Sequence, residues 1–160
     1  LPALPPAQRR VYLRGCYETF AFQREASYSP LTTTMLVNEI SPHLPIYLWG
    51  PAVQRTLVAG GDGCQILATA HGRSVVNFVG SLTGSPLRVP AQLLAAIDLV
   101  ALLEPAPDGA GRQLTELWQL SAARDGVAIE RLHPGNPPMG VTADQLAEAR
   151  ASVQSIIAPE

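Results

Sequence analysis

Three apolar runs without polar alternation mark the first two thirds of the chain: Thr32 to Val37, Cys64 to Thr69 and Ile97 to Leu103. A strand with no polar face to spare is buried on both sides, the pattern of central strands in a parallel sheet. Helical signals lie between the runs. Tyr47 to Ala59 sets Leu48, Val53, Leu57 and Val58 on a roughly shared face, with Pro51 tolerated in the first turn. Arg73 to Gly80 predicts a short helix from the Ser74 region, and Pro90 to Ala96 another opened by proline. Ahead of them, Arg10 to Arg14 alternates and stops at Gly15, a short strand, whereas residues 21–33 hold no period and read as a loop or broken helix. Ser41 to Pro45 is a loop, because each proline removes a donor and biases its predecessor away from helix. Gly60-Gly61-Asp62-Gly63 then turns the chain into the second run. Strand, helix, strand, helix, strand predicts a right-handed parallel α/β unit.

The last third changes period. Gln113 to Leu120 and Val127 to Leu132 alternate in twos across Arg124-Asp125-Gly126, a β-hairpin with one wet face. A proline-glycine loop, Pro134 to Gly140, precedes a helix capped by Thr142 and Gln145, with Leu146, Ala149 and Val153 as its stripe. The expected organisation is a linker over 1–9, an α/β core with hairpin over 10–133, and a loop and C-terminal helix over 134–160.

Composition narrows the function classes. With 160 residues, 47% of them apolar and 15% charged, the chain can bury the core of one ordinary domain. A formal charge of −2 and scattered arginines give no footprint for nucleic acid. Cys16 and Cys64 lack ligand spacing and read as buried reduced thiols. No apolar run reaches the ~18 residues of a membrane span, and no signal-peptide pattern opens the chain, so the expected address is cytoplasmic. The proline-rich start reads as a linker cut from a longer protein.

Candidate chemistry gathers at the strand ends. Glu39 closes the first buried run, where open α/β sheets bind ligands; it can orient a water or hold magnesium through one, or simply pair with Arg55. His71 ends the next run, preceded by Thr69, so the two ends would share one rim on which an imidazole or hydroxyl meets a phosphate, unless the histidine is structural. Glu18, after the short first strand, is a second acid near that rim or an exposed turn glutamate. Gly60 to Gly63 precedes a strand and backs onto no helix N-terminus, so it is a connector and not a phosphate loop. His43, His71 and His133 lack metal spacing, and no metal site is expected. No G-x-S-x-G elbow is present, which excludes a typical serine hydrolase. Trp49 and Trp118 read as core anchors. The chain contains no lysine, so it holds no P-loop Lys-Ser or Lys-Thr pair.

Taken in order, these pieces resemble the secretion ATPase family, the hexameric motors of type II and type IV secretion and of type IV pili, in the part after the P-loop. Met35 to Ile40, "MLVNEI", resembles the Walker B strand, with Glu39 as its glutamate. Val11 to Phe20 stands at the Asp box with Glu18 as its only acid, and Leu67 to His71, "LATAH", is similar to the His box through Thr69 and His71. Gly60 and Gly63 keep the outer glycines of a TGHxG turn, and Ala96 to Val100 and Arg112 to Leu117 match two later segments. Departures are Asn38 for the glycine before the Walker B glutamate, Ser41 for an arginine after it, and Gly61 for the TGHxG histidine. The resemblance covers about residues 10–133. It implies a RecA-like parallel sheet lacking its P-loop segment, with Glu39, Glu18 and His71 as catalytic groups and Thr69 and Asn38 beside the nucleotide. It also implies ATP and Mg2+ in the complete protein, with neither held tightly by this chain alone. Expected partners are further copies in a hexamer and secretion or pilus machinery, which would make the protein cytoplasmic or peripheral at the inner membrane. The alternatives are a non-catalytic assembly module derived from such an ATPase, and an unrelated small α/β enzyme in which the runs over 35–40 and 64–70 are not adjacent.

Overall fold

The computed structural model describes residues 7–107, 109, 111–124 and 126–133. They fall into two compact units, one built from 7–97 with 121–128, the other from 98–120 with 129–133. Of the linker expected over 1–9, residues 1–6 lie outside the described residues, as do the loop and helix expected over 134–160, whereas Arg9 already belongs to a strand.

The larger unit is organised by a three-stranded parallel sheet of order β1-β2-β3, with β1 at Arg9–Tyr12, β2 at Thr33–Ile40 and β3 at Gln65–Ala70. The runs over 35–40 and 64–70 are therefore neighbours, as a shared rim requires. Thr33 to Val37 are all buried, which accounts for the absence of polar alternation there. β3 is different. It borders the sheet on one side, and most of its residues are exposed despite their apolar character.

Helix α1 (Pro51–Gly61) connects β2 to β3 and buries Ala52, Val53, Thr56, Leu57 and Ala59. It begins four residues later than periodicity predicts. Pro51 occupies the first helical position, where its missing N–H costs nothing, and Gly50 precedes it at a positive φ that no helix continues through. Helix α2 (Val75–Thr83) starts at Ser74, whose hydroxyl accepts the Asn77 N–H at 3.2 Å. Residues 91–96 form a short 3-10 helix, and 21–24 and 30–32 form others where no period was legible.

The third apolar run departs from expectation. It forms β4 (Leu99–Pro105), which does not join the parallel sheet but pairs antiparallel with β5 (Arg112–Ala123), itself followed by β6 (Gly126–His133) in a second sheet of order β4-β5-β6. The reason is the connection. Only residues 106–111 separate β4 from β5, enough for an antiparallel return and too few for a parallel crossover. β4 also alternates between exposed and half-buried positions, so its apolar run is not a two-faced core strand. Leu117 and Leu132 pack together as buried residues of this unit, and Leu120 is buried as well. Trp118 is half-buried, not a core anchor: its indole N–H donates to Glu116 at 2.8 Å, and Arg131 lies over its ring while pairing with Glu116 at 2.7 Å. Trp49 is likewise half-buried, and Cys16 is exposed on a short 3-10 turn, so only Cys64 is a buried thiol. Among the described residues no helix is long and apolar enough to cross a membrane.

Candidate functional site

The rim at the carboxyl end of the parallel sheet is shaped by a bulge. From Val37 to Ile40, three steps along β2 match two along β3, from Ala68 to Ala70. The extra residue falls at Asn38 and Glu39 and interrupts the ladder there. The backbone groups set free are answered locally. Thr69 donates its hydroxyl proton to the Asn38 carbonyl, and the Glu39 carbonyl accepts the Leu48 N–H at 2.7 Å. Leu48, buried, returns the bond pattern by accepting the Ser41 N–H at 3.2 Å, which closes an isolated parallel bridge between Ile40 and Leu48. The chain thus leaves β2 at Ile40, loops outward and comes back beside its own strand.

That loop carries His43. The buried Ser41 hydroxyl accepts the His43 N–H at 3.2 Å, and the Tyr47 N–H donates to Leu44 at 2.9 Å. The far side is fastened to residues 15–17, where the Cys16 N–H donates to Pro45 at 3.1 Å. Gly15 makes that approach possible. It has φ +62°, and a Cβ on it would stand 2.5 Å from the Pro45 oxygen, against the Ile46 backbone as well.

Glu39, His43 and His71 converge there, their ligand atoms all within 4.8 Å of one another. Glu39 Oε2 lies 3.4 Å from His71 Nε2; the carboxylate is 12% exposed and the imidazole 75%. The other carboxylate oxygen, Oε1, is buried and has no hydrogen-bond partner. The His43 and His71 rings stand 5.9 Å apart, centroid to centroid, and His43 is exposed. A carboxylate backed by protein and faced by two solvent-accessible imidazoles can hold a cation, orient a water or exchange a proton.

No protein-family model matches the chain, and no curated protein matches it.

Of the residues singled out in the sequence, Glu39 and His71 meet directly and Thr69 supports the bulge between them. Asn38 is exposed beside them. Glu39 does not form the ion pair with Arg55 that its bland reading offered; Arg55 instead lies 4.3 Å above the Phe20 ring. Glu18 is not among the converging groups. Its two oxygens accept backbone N–H bonds from Arg14 at 2.9 Å and Phe20 at 2.6 Å. This clamps a tight turn in which the buried Phe20 adopts φ +56°, an uncommon conformation for a bulky residue.

His43 is the member of this trio that sequence reasoning did not place at the rim. Histidine spacing was uninformative, but one signal was present: His43 sits between Pro42 and Pro45, just after a strand whose end was already marked as a rim. A short proline-bracketed loop cannot wander far from the strand that launches it. A separate shallow cavity of about 360 Å³, lined by Gln23, Pro51, Gln54, Arg55, Val58, Ala59 and Asp62, includes none of the rim residues.

Proposed function

We propose that this parallel sheet is the water-positioning and sensing side of a RecA-like nucleotide site, and that the chain is the carboxyl-terminal portion of a secretion- or pilus-type ATPase. The observation that carries the reading is the meeting of Glu39 and His71 at the ends of adjacent parallel strands, 3.4 Å apart. Ligands of open α/β sheets bind outside such strand ends. In the complete protein Glu39 would orient the attacking water and His71 would sense the terminal phosphate, with Thr69 and Asn38 lining the same rim. The exposed outer edge of β3 suits a sheet to which a further strand is added, and the P-loop strand is the natural candidate. A ring of such subunits would work on secretion or pilus machinery at the inner membrane.

The residues of this chain do not by themselves fit ATP and Mg2+. There is no lysine to meet the phosphates, and the glycine cluster at 60–63 ends α1 and leads into β3 instead of opening a helix. The 160 residues alone are expected to show no appreciable ATP turnover.

The test begins with the coding sequence ahead of Leu1, read for G-x-x-x-x-G-K-S/T. In the protein that carries it, Glu39→Gln is expected to lower the ATPase kcat by at least ~100-fold with nucleotide binding retained. Wild-type turnover by that variant overturns the assignment. A second reading, a non-catalytic assembly module, is favoured by one observation: both Glu18 oxygens are occupied by backbone amides and not offered to the rim. Absence of any upstream P-loop, together with self-association in light scattering, would select it.

A further inference from the structure

We propose that Glu39, His43 and His71 form a binding site for a transition-metal dication of the Zn2+ class, with at least one coordination position left to water. The proposal does not rest on the nucleotide reading, since it asks nothing of a phosphate or a P-loop, although both draw on the Glu39 carboxylate.

The Glu39 carboxylate is out of balance. Glu39 is 12% exposed, and its Oε1 is buried without a partner. A buried carboxylate oxygen left unanswered is costly, and native structures supply a donor or a cation. His71 does not cancel the deficit. Its Nε2 stands 3.4 Å from Oε2, beyond the ~2.7–3.2 Å of an N–H···O bond, and it leaves Oε1 untouched.

The Oε2–Nε2 separation suits a shared ion, whose charge would offset the whole Glu39 carboxylate, Oε1 included. Two ligands about 2.0–2.1 Å from a tetrahedral Zn2+ stand about 3.4 Å apart. The longest separation in the trio, at most 4.8 Å, must close by on the order of 1 Å, a shift within reach of an exposed imidazole on a loop. Two imidazoles and one carboxylate make a nitrogen-rich set. Imidazole suits Zn2+, Ni2+, Cu2+ and Fe2+, whereas Mg2+ and Ca2+ prefer oxygen. Three protein ligands at a solvent-open rim also leave a position free, the arrangement of a site that handles water or substrate and not of a closed structural site.

The ligands are positioned before any ion arrives. β2 and its bulge hold Glu39, β3 delivers His71, and the Ser41 and Leu48 bonds hold the loop of His43. Little chain entropy is then lost on binding.

The test is titration of the tag-free chain with Zn2+, and with Co2+ as a spectroscopic reporter, in the absence of nucleotide. The expected result is one equivalent bound, with Co2+ giving the intense visible bands of low-coordinate geometry and excess Mg2+ failing to displace it. His43→Ala and His71→Ala should each weaken binding at least ~10-fold, while His133→Ala, outside the trio, should leave it unchanged. Circular dichroism on each variant separates lost ligands from lost fold, and both histidines are exposed enough to be replaced without emptying the core. No stoichiometric uptake by the folded wild type, or uptake that survives the double histidine variant, overturns the site. A failed ATPase assay with intact metal binding would remove only the nucleotide reading.

Discussion

Replacing Gly15 by alanine should destabilise the protein and loosen the rim together, because one methyl group meets two separate objections. The first is conformational. Gly15 has φ +62°, and a residue with a Cβ pays about 1–2 kcal/mol there. The second is steric. The new Cβ would lie 2.5 Å from the Pro45 oxygen and against the Ile46 backbone, neither of which can swing aside like a flexible side chain. The loop over 42–47 must retreat, and the bond from the Cys16 N–H to Pro45 at 3.1 Å is stretched or lost. Overpacking of this kind costs about 1–3 kcal/mol, so the sum is roughly 2–5 kcal/mol against a total stability of about 5–15 kcal/mol. Urea denaturation followed by circular dichroism measures the loss. Gly61→Ala is the internal comparison. It sits at the end of α1 with nothing within 4 Å of the added Cβ, and should gain up to about 1 kcal/mol. Because the displaced loop carries His43, Gly15→Ala should also weaken Zn2+ binding under conditions where the variant is still folded. A denaturation midpoint equal to wild type, or a destabilised variant whose metal affinity is intact, would refute the claim that Gly15 positions this loop.

Glu18→Ala should cost about 1–2 kcal/mol, since it strips acceptors from the Arg14 and Phe20 amides, and Glu18→Gln about half as much; metal titration of both should match wild type. Loss of metal binding without loss of stability would instead put Glu18 in the rim's chemistry. Stability should also fall at high pH through Tyr28. Burial, reinforced by its contact with Cys64 at 3.3 Å, raises the Tyr28 hydroxyl to about 12 from its ordinary value of 10.0. The unfolded chain ionises first, so this contribution is whole below pH 10.0 and is lost as pH rises toward about 12. Denaturation midpoints for Tyr28→Phe should decline less steeply across that window, and parallel profiles for the two proteins would refute the assignment.

Much of the larger unit was legible from hydrophobic runs, and for a definite reason. Thr33 to Val37 are buried on both faces, so the pattern reports the environment directly. The hairpin was legible because its period of two persists through a short turn. The third run misled because apolarity reports burial and not direction: the run around Leu99 to Leu103 reads alike in a parallel core strand and in the antiparallel β4. The short connection after it, at 106–111, held the decisive information. The helix start at Pro51 was misplaced for a related reason, since Leu48 keeps helical spacing with Val53 while serving as a bridge partner of Ile40.

The rim shows where single-sequence reasoning stops and backbone accounting begins. Glu39 and His71 were identified from strand ends, but their joint meaning depends on His43, and His43 depends on bonds that no local pattern displays. The bulge at Asn38 and Glu39 takes two carbonyls out of the β2–β3 ladder. One goes to the Thr69 hydroxyl and the other to the Leu48 N–H. Every buried backbone group needs a partner, so the second of these obliges the chain to return to β2 after the loop. That return holds residues 41–47 beside the strand end and brings an imidazole to the carboxylate. Among the described residues, the buried Oε1 is a polar side-chain atom that the protein leaves unanswered, on the carboxylate whose other oxygen, Oε2, stands beside His71. A nucleotide site needs Glu39 to be a free acceptor, whereas a metal site needs it as a ligand. Both roles draw on the one carboxylate, and metal titration with and without nucleotide on the intact protein separates them.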